Sequence, residues 1–545
     1  MKKPSSGPPI EWWKPQKKDP NQGSSLSPTF WRWAIGLVVI AMIYKSQSGH
    51  VGHLIDDTPI LGLLQIAVGG GLAWFAYQWW IAYRTPTSVK NKPDDLGDAE
   101  AASKAASKLH HREDGIWAGK AGDGLDLYAS IEDRAVVLGP PGAGKTTFLV
   151  AQLLRWAETK RSFVCLDSKP EIFGITRKAL ERLGYKVLVY NPTEGRGQRY
   201  NPLIDIDGPE AVGELAAALI PAVDDANPIF TESARDLLDA LISHLRAIDG
   251  EASLPSIRTL IAGVDDYKGL LRTLAASPDP DAAEIARSLA MTSANERLLG
   301  SILGTLRANL RFLRYPHIRA SLETSDFSLA ELVGDRPVAL FFQFEEHQRE
   351  TTAHLLTAMT GHLMRYLIRH TARPPVLLLL DEIGTIPVVP GLIAKLNTIR
   401  SRKLPTWTYW QSLEQMQKYG SKADEGANLI LGACDCQMVF RLNDNASAQW
   451  MSDRIGVVDV TVTNESVDDW FEKKTRSSSM VTEPKVFPHE LQQLKDGQVV
   501  CAYQDLAWRG WATPYFQIWK DYQGKRPAGQ ELYGDPYPEK KDDAA

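Results

Sequence analysis

Short runs of apolar and β-branched residues recur along most of the chain and predict a series of β-strands. The runs occupy residues 134–138, 163–167, 187–190, 337–343, 376–380, 406–410, 436–441 and 498–503. Several of them are apolar throughout, which is typical of parallel strands buried on both faces, and helical patterns lie between them. The pattern therefore predicts an α/β fold with a doubly wound, mostly parallel sheet.

One long stretch, residues 207–325, interrupts this rhythm. It carries Ala- and Leu-rich helical patterns and no convincing strand. We interpret it as an all-α domain inserted into a sheet domain formed by residues 115–206 and 326–520. Residues 85–114 are predicted to be a linker, and the polar, charged tail 521–545 is predicted to be flexible.

Two apolar stretches near the N-terminus predict a two-helix membrane anchor over residues 29–84. Residues 60–83 are 24 residues without a charged side chain, long enough to cross a hydrocarbon layer of about 30 Å. Their far end is rich in Trp and Tyr, which is typical of a membrane interface. Residues 30–44 are shorter and contain Arg32, so they span only if Arg32 reaches the interface. A signal peptide or an interfacial helix is the alternative for this first stretch.

The distribution of basic residues predicts the orientation of this anchor. Lysines precede the first stretch, Arg84 follows the second, and the loop between the two stretches contains acids but no Lys or Arg. By the positive-inside rule, both ends of the anchor face the cytoplasm and the short loop lies outside. Residues 1–28 and everything after Arg84 are therefore predicted to be cytoplasmic.

Composition narrows the class of protein without indicating a function. At 545 residues, with 44% hydrophobic and 23% charged residues, the chain is globular and long enough for about three domains. Its formal net charge of −5 excludes a surface that is basic all over. Any nucleic acid would therefore bind at a local patch or inside a channel. The four cysteines are too few and too irregularly spaced to predict a zinc site or a disulfide framework.

The strongest chemical motif follows the first of the predicted strands. In the segment AVVLGPPGAGKTT, Gly139, Gly144, Lys145 and Thr146 fit the pattern G-x-x-x-x-G-K-[ST] between a strand and a helix. Glycines let backbone N–H groups turn toward phosphates, and the helix adds its positive N-terminal end. Lys145 is predicted to hold the β- and γ-phosphates, and Thr146 the Mg²⁺. The predicted nucleotide ligands are Gly139, Pro140, Pro141, Gly142, Ala143, Gly144, Lys145, Thr146 and Thr147.

Two acids at the end of another predicted strand complete this chemistry. A P-loop needs a carboxylate for the Mg²⁺ and a residue that positions the attacking water. Leucines 377–380 precede Asp381 and Glu382, so both acids should emerge at the carboxyl edge of the sheet, where ligands bind. We assign Asp381 to Mg²⁺ and Glu382 to the water. The sequence therefore predicts an ATPase with ATP and Mg²⁺ as its cofactors.

On these motifs the chain resembles the type IV secretion coupling proteins, the TraG/TraD-like P-loop ATPases of bacterial conjugation. The segment FVCLDSKPEIF is similar to the family's D-x-K-G-E type, with Asp167, Lys169 and Glu171 in place but Pro170 instead of glycine. YNPL at 200–203 is similar to the family's Asn-Pro-Leu landmark. The two N-terminal stretches resemble its membrane anchor with a short periplasmic loop.

The resemblance continues beyond the two acids. The segment IRSRKLPTWTYWQSLEQMQKYG is similar to the family's Arg-containing helix, strand and Q-S-x-x-Q-x-x-x-Y-G sequence. Arg400 matches the family arginine, which would reach the γ-phosphate of a neighbouring subunit, and Arg402 is the alternative. Gln411, at the end of the strand, would sense that phosphate.

The resemblance implies a RecA-like P-loop NTPase that forms a homo-hexamer in the bacterial inner membrane. Its implied partners are DNA, a relaxase–DNA complex and components of a type IV secretion channel, into which the motor would drive DNA during conjugation. Two other functions remain open. One is a docking receptor for secreted proteins that uses nucleotide only to assemble, and the other is an FtsK-like DNA translocase.

A set of arginines in the predicted all-α domain is the candidate for DNA binding. In LGTLRANLRFLRYPHIRA, Arg307, Arg311 and Arg314 recur at i, i+4 and i+7, on one face of a predicted helix. Such a stripe could follow a phosphate backbone. A solvated or salt-bridged surface is the alternative explanation.

Overall fold

The computed structural model describes part of the chain in detail. The described residues are 88–91, 96, 115–121, 124–221, 228–250, 252–263, 266–291, 296–344, 349–370, 374–422, 424–468 and 473–517. The predicted anchor 29–84, the segment 1–28 and the tail 521–545 lie outside them. Within the described residues, no helix is both long enough and apolar enough to cross a membrane.

The described residues contain fifteen strands, which form two sheets. The strands are β1 (Ser88–Asn91), β2 (Gly115–Ala121), β3 (Asp126–Ser130), β4 (Arg134–Leu138), β5 (Phe163–Asp167), β6 (Lys186–Asn191), β7 (Arg196–Gly197), β8 (Val338–Gln343), β9 (Leu377–Leu380), β10 (Thr406–Trp410), β11 (Cys436–Val439), β12 (Val457–Asp468), β13 (Lys473–Pro484), β14 (Gln498–Tyr503) and β15 (Leu506–Trp511). A small sheet has the order β1-β12-β13. The large sheet has twelve strands in the order β3-β2-β15-β14-β11-β4-β10-β9-β5-β8-β6-β7.

The chain divides into two compact units. One consists of Met1–Val89 with Thr463–Ser478, and the other of Lys90–Val462 with Ser479–Ala545. In the first unit the described residues belong to parts of β1, β12 and β13. The second unit contains the large sheet and all of the helices described below, and the candidate site lies entirely within it.

The seven strands in the middle of the large sheet, from β11 to β6, are all parallel to one another. On one side β14, β15, β2 and β3 extend the sheet with antiparallel pairings, and on the other side β7 does so. Because the central strands are parallel, their carboxyl ends all lie at one edge of the sheet.

The central strands are buried on both faces, as their apolar sequences predicted. In β4, Val136 and Leu138 pack into one hydrophobic core, and Ala135 and Val137 pack into the other. All four leucines of β9 are buried as well. Apolar layers therefore cover the two faces of the sheet.

Helices form the two layers that cover the sheet. They are α1 (Lys145–Ala157), α2 (Ile172–Arg182), α3 (Pro209–Leu219), α4 (Pro228–Ile248), α5 (Leu254–Ala262), α6 (Tyr267–Ala275), α7 (Pro280–Met291), α8 (Glu296–Asn309), α9 (Pro316–Glu323), α10 (Arg349–Arg369), α11 (Leu392–Arg402), α12 (Glu414–Gln417), α13 (Glu425–Gly432), α14 (Asn445–Ile455) and α15 (Pro488–Gln492). Apolar side chains of α1 and α2, such as Phe148 and Ile172, pack in the same core as Val137. The predicted α/β fold with a mostly parallel sheet is confirmed.

The described residues between 207 and 325 form helices α3 to α9 and contain no strand. Pro209, Pro255 and Pro316 stand in the first turns of α3, α5 and α9, where a proline's missing N–H leaves no helical hydrogen bond unmade. The buried faces of these helices belong to the core that also contains Val136. This helical region therefore packs on the face of the sheet opposite to α1 and α2.

All four cysteines are buried and unpaired. Cys165, Cys436 and Cys501 lie on strands of the large sheet, and Cys434 precedes one of them. Burial raises the pKa of every one of these thiols. Their role in this fold is packing.

Candidate functional site at the carboxyl edge of the sheet

The glycine-rich loop leaves the carboxyl end of β4 and leads directly into α1. The Gly139 backbone N–H donates a hydrogen bond to the Trp410 carbonyl oxygen at the end of β10, 3.2 Å away. Gly142 and Gly144 have positive φ angles of 79° and 102°, which L side chains rarely adopt. At Gly139 a Cβ atom would lie 3.0 Å from the Cβ of Phe440. The loop therefore needs its glycines both for its turns and for its close approach to the sheet.

Lys145, the first residue of α1, folds back over this loop. Its Nζ donates hydrogen bonds to the carbonyl oxygens of Gly139 at 2.5 Å and of Pro140 at 3.1 Å. Burial lowers the pKa of Lys145, against the opposing effect of the negative charges of Asp381 and Glu382. Lys145 is 5% exposed, so the structure places a buried cation inside the loop and within electrostatic reach of both acids.

Asp381 directly follows β9, two strands away from the glycine-rich loop. Its backbone N–H donates to the Leu166 carbonyl oxygen of β5 at 3.2 Å, which fixes the acid at the sheet edge. Its side-chain Oδ1 atom is buried and has no hydrogen-bond partner. Burial, followed by the charges of Glu382 and Asp167, raises the pKa of Asp381 to about 7. A buried carboxylate oxygen with no donor is what a divalent cation satisfies.

Glu382 is held in an unusual backbone conformation next to this acid. Its φ angle is +46°, in the left-handed region, and it begins the turn Ile383–Thr385. The N–H and Oγ1 of Thr385 both donate to the Glu382 carbonyl oxygen, at 2.8 and 2.7 Å. The Glu382 side chain forms an ion pair with Lys169, with 3.2 Å between Nζ and Oε1. Strained backbones of this kind concentrate at functional sites.

Two further polar residues, Asp167 and Gln343, complete the edge, and neither was assigned a role from the sequence motifs. Asp167 ends β5, where its carboxylate accepts hydrogen bonds from the backbone N–H groups of Ile172 and Phe173. Gln343 ends β8 and donates to the same carboxylate at 2.9 Å. Burial raises the pKa of Asp167 to about 7. The sequence signal that could have identified such a residue is a polar side chain at the end of an otherwise apolar strand, as in VALFFQ, which ends with Gln343.

Gln411 also lies at this edge, but Arg400 does not. Gln411 follows β10, whose last carbonyl bonds the first glycine of the loop. Arg400 lies in the last turn of α11, where its guanidinium is 3.6 Å from Asp435. Asp435 in turn binds Arg134, the first residue of β4. Arg400 is therefore at the amino edge of the sheet, about 17 Å from its own loop, the length of a five-residue strand.

Thr146 and Thr147 occupy the first turn of α1 after Lys145, and both are half-buried. The structure thus brings together the predicted loop residues 139–147, Asp381, Glu382 and Gln411. Arg400 stands apart from them within one chain.

The prediction that Arg307, Arg311 and Arg314 share one helical face is wrong. Helix α8 ends at Asn309, so Arg307 is helical whereas Arg311 and Arg314 lie in a 3-10 turn. Pro316 begins α9 and disfavours helical geometry at Tyr315, which is extended, so the 3-10 turn cannot continue directly into α9. All three arginines are exposed, and none of them forms an ion pair with a carboxylate of the described residues.

Comparison with known proteins places this fold and site in one family. The sequence model described as "Type IV secretory system Conjugative DNA transfer" matches residues 93–513. Comparison with curated proteins gives no match.

Solved structures of one protein share the fold. The bacterial conjugative coupling protein TrwBdeltaN70, in its unbound form, is 15% identical with a TM-score of 0.59, over 75% of this chain and 90% of that chain. The plasmid coupling protein TrwB in complex with ADP and Mg²⁺ is 16% identical with a TM-score of 0.58, over 76% and 91%. TrwB with the ATP analogue ADPNP is 15% identical with a TM-score of 0.57, over 76% and 92%. At this identity the likeness concerns the fold, a P-loop NTPase fold with a large, mostly parallel sheet.

The family match covers most of the chain and includes the glycine-rich loop, the paired acids and the helical region between them. The resemblance noted from the sequence motifs is confirmed, and the chain belongs to the type IV secretory system conjugative DNA transfer family.

Proposed function

We propose that this protein is a coupling ATPase of the bacterial inner membrane that recruits a relaxase–DNA complex and drives DNA into a type IV secretion channel. The observation that carries the proposal is the meeting of Lys145 with Asp381 and Glu382 at one edge of the sheet. Membership of a conjugative DNA transfer family supports DNA as the cargo. The predicted anchor 29–84 would hold the motor at the membrane, with both termini in the cytoplasm.

The residues at the sheet edge fit a nucleotide and a magnesium ion. The amides of the loop 139–144 and the start of α1 offer positive dipoles to phosphates, as P-loops do. Thr146 and Asp381 would hold Mg²⁺, which supplies positive charge to the phosphate oxygens when it is bound. The orphaned Oδ1 of Asp381 and the raised pKa of that acid both indicate a site built for a cation.

Each side chain then has a defined task in hydrolysis. Lys145 leaves the carbonyl oxygens of its own loop and donates to the β- and γ-phosphate oxygens. Glu382 accepts a hydrogen bond from the attacking water and orients it toward the γ-phosphorus. Gln411 donates from the neighbouring strand end toward the same phosphate. The site is complete only when a second chain supplies an arginine.

A neighbouring subunit must supply that arginine, because Arg400 lies at the opposite edge of its own sheet. In a ring with head-to-tail contacts, the amino edge of one sheet meets the nucleotide of the next subunit. A homo-hexamer of this kind, with Arg400 as the finger and Arg402 as the alternative, is the assembly we propose.

Mixing two inactive variants tests this arrangement. Arg400→Ala chains keep an intact loop and Lys145→Ala chains keep the arginine. Each site is shared by two chains. In rings formed from an equal mixture, about a quarter of the sites would therefore combine an intact loop with an intact arginine. The mixture should recover about that fraction of wild-type ATP hydrolysis. If Arg402→Ala is inactive alone and Lys145→Ala restores its activity, while Arg400→Ala is active alone, the finger is Arg402. No recovery by an inactive arginine variant would contradict a shared site.

DNA should stimulate ATP hydrolysis by the full-length chain if the protein is a DNA motor. We place one DNA contact at Arg307, Arg311 and Arg314, which are exposed in a segment, residues 297–322, that contains no acid. Replacing all three with glutamine should weaken duplex binding and make the salt dependence less steep. The slope of log affinity against log salt should change by about 0.9 per contact, or about 2.7 in total.

The comparison variant for this experiment is Arg177→Gln, on α2, which removes one arginine from another surface. If DNA stimulates the wild type but the triple variant has an unchanged salt slope, the DNA contact does not involve these three arginines. No stimulation by any DNA would favour the docking-receptor function.

A further inference from the structure

The ion pair between Lys169 and Glu382 joins two segments that are 213 positions apart in the chain. Lys169 lies in the short loop between β5 and α2, and Glu382 follows β9, the neighbouring strand. The two side chains differ in their surroundings. The lysine is 40% exposed and the glutamate 9% exposed, so the cation has room to move and the carboxylate does not.

The charge of Lys169 also affects two other ionisable residues of the site. It lowers the pKa of Lys145 and opposes the rise in the pKa of Asp381. Lys169 is therefore a second cation next to the place where the phosphates would lie. Family motifs include this lysine, but the fold alone shows which acid it binds.

The pair is poorly suited to hydrolysis as it stands. A glutamate that orients or deprotonates water acts through the negative charge of its carboxylate. Here an ammonium group lies 3.2 Å from Oε1 of Glu382 and offsets that charge. The glutamate side chain is buried on a backbone held at a φ of +46°, whereas the lysine is partly exposed, so the lysine is the partner that would give way.

A γ-phosphate would compete strongly for that lysine. It carries more negative charge than a carboxylate and offers several acceptor oxygens to one ammonium group. ADP lacks this group, so a lysine that responds to it would distinguish ATP from ADP.

We propose that Lys169 is a positioning residue that holds Glu382 in an ion pair until ATP binds, and then transfers its ammonium group to the γ-phosphate. Glu382 is released to water only by a nucleotide that carries a γ-phosphate. This inference rests on the proposed ATPase function and adds to it a device that senses the third phosphate.

Equilibrium binding to the full-length protein tests the transfer without requiring hydrolysis. In Lys169→Met, affinity for a non-hydrolysable ATP analogue should fall about 10- to 100-fold, the value of a charge-assisted hydrogen bond. Affinity for ADP should change less than about twofold, because ADP has no group for Lys169. Lys169→Arg should keep the preference for the ATP analogue. Lys178→Met, an exposed lysine on α2, is the matched control and should behave as wild type.

A double-mutant cycle tests whether Glu382 and the phosphate share one lysine. Glu382→Gln should tighten binding of the ATP analogue, because it frees Lys169, and should leave ADP binding unchanged. The same substitution in the Lys169→Met background should tighten it much less.

Two results would overturn the transfer. One is an unchanged ratio of the ADP and ATP-analogue affinities in Lys169→Met, and the other is additive effects in the cycle. Failure of the ATPase function itself would look different, because the wild type would then release no phosphate from ATP, whatever nucleotide it binds.

Discussion

Replacing Lys145 with alanine is expected to abolish ATP hydrolysis, with a loss of about 10²–10³-fold or more in kcat/KM. The side chain is the one buried cation inside the phosphate loop, and the charge that develops on the phosphate oxygens would have no fixed donor without it. Steady-state phosphate release by the full-length protein measures the loss. Nucleotide affinity should fall as well, because Lys145 contacts the phosphates in the ground state too.

The matched control for this substitution is Lys178→Ala on the exposed face of α2. Circular dichroism and thermal unfolding of both variants show whether the fold persists. Wild-type hydrolysis by Lys145→Ala would remove the basis for placing nucleotide at this loop.

Replacing Glu382 with glutamine should lower kcat by about 10²–10⁴-fold, the usual contribution of a group that positions or deprotonates a nucleophile. Nucleotide binding should persist, because the amides of the loop and Lys145 remain. The amide is nearly the same size as the carboxylate, so the turn Ile383–Thr385 should keep its hydrogen bonds to the backbone carbonyl of residue 382. Rapid-quench measurement of a single turnover separates the chemical step from product release.

The same variant separates a motor from a receptor. A motor with Glu382→Gln should assemble and bind DNA but transfer none in a mating assay, whereas a receptor should continue to support export. Glu284→Gln, an exposed acid on α7, is the control in that assay. Full DNA transfer by Glu382→Gln would contradict the proposal that hydrolysis drives the cargo.

The parallel core of the fold and the neighbouring antiparallel strand β14 could be predicted from local sequence, and the other antiparallel strands could not. β4, β5 and β10 have the predicted bounds because parallel strands that are buried on both faces are rich in apolar and β-branched residues on both faces. β12 and β13 were missed because runs such as TVTNESVD and TRSSSMVT are largely polar. Such strands are specified by pairing rather than by burial, and pairing is not visible in a single sequence.

The site was predictable where its residues are contiguous and not where they meet through strand order. The glycine-rich loop and the pair Asp381 and Glu382 are local motifs, each at the end of an apolar strand. The contact of Glu382 with Lys169, and that of Asp167 with Gln343, exist because β9 and β8 flank β5. The arginine stripe failed because the helical spacing of the sequence continued past Asn309, where α8 ends and a 3-10 turn follows.

The burial of every native thiol makes this chain convenient for site-directed labelling. Thiol reagents attack the thiolate form, and the four cysteines are both inaccessible and held in the neutral form at pH 7. A single cysteine introduced at an exposed position, such as Lys178 on α2 or Glu284 on α7, should therefore react with a maleimide dye selectively in the folded protein. Fluorescence could then follow subunit movements during turnover without first removing any native sulfur from the core.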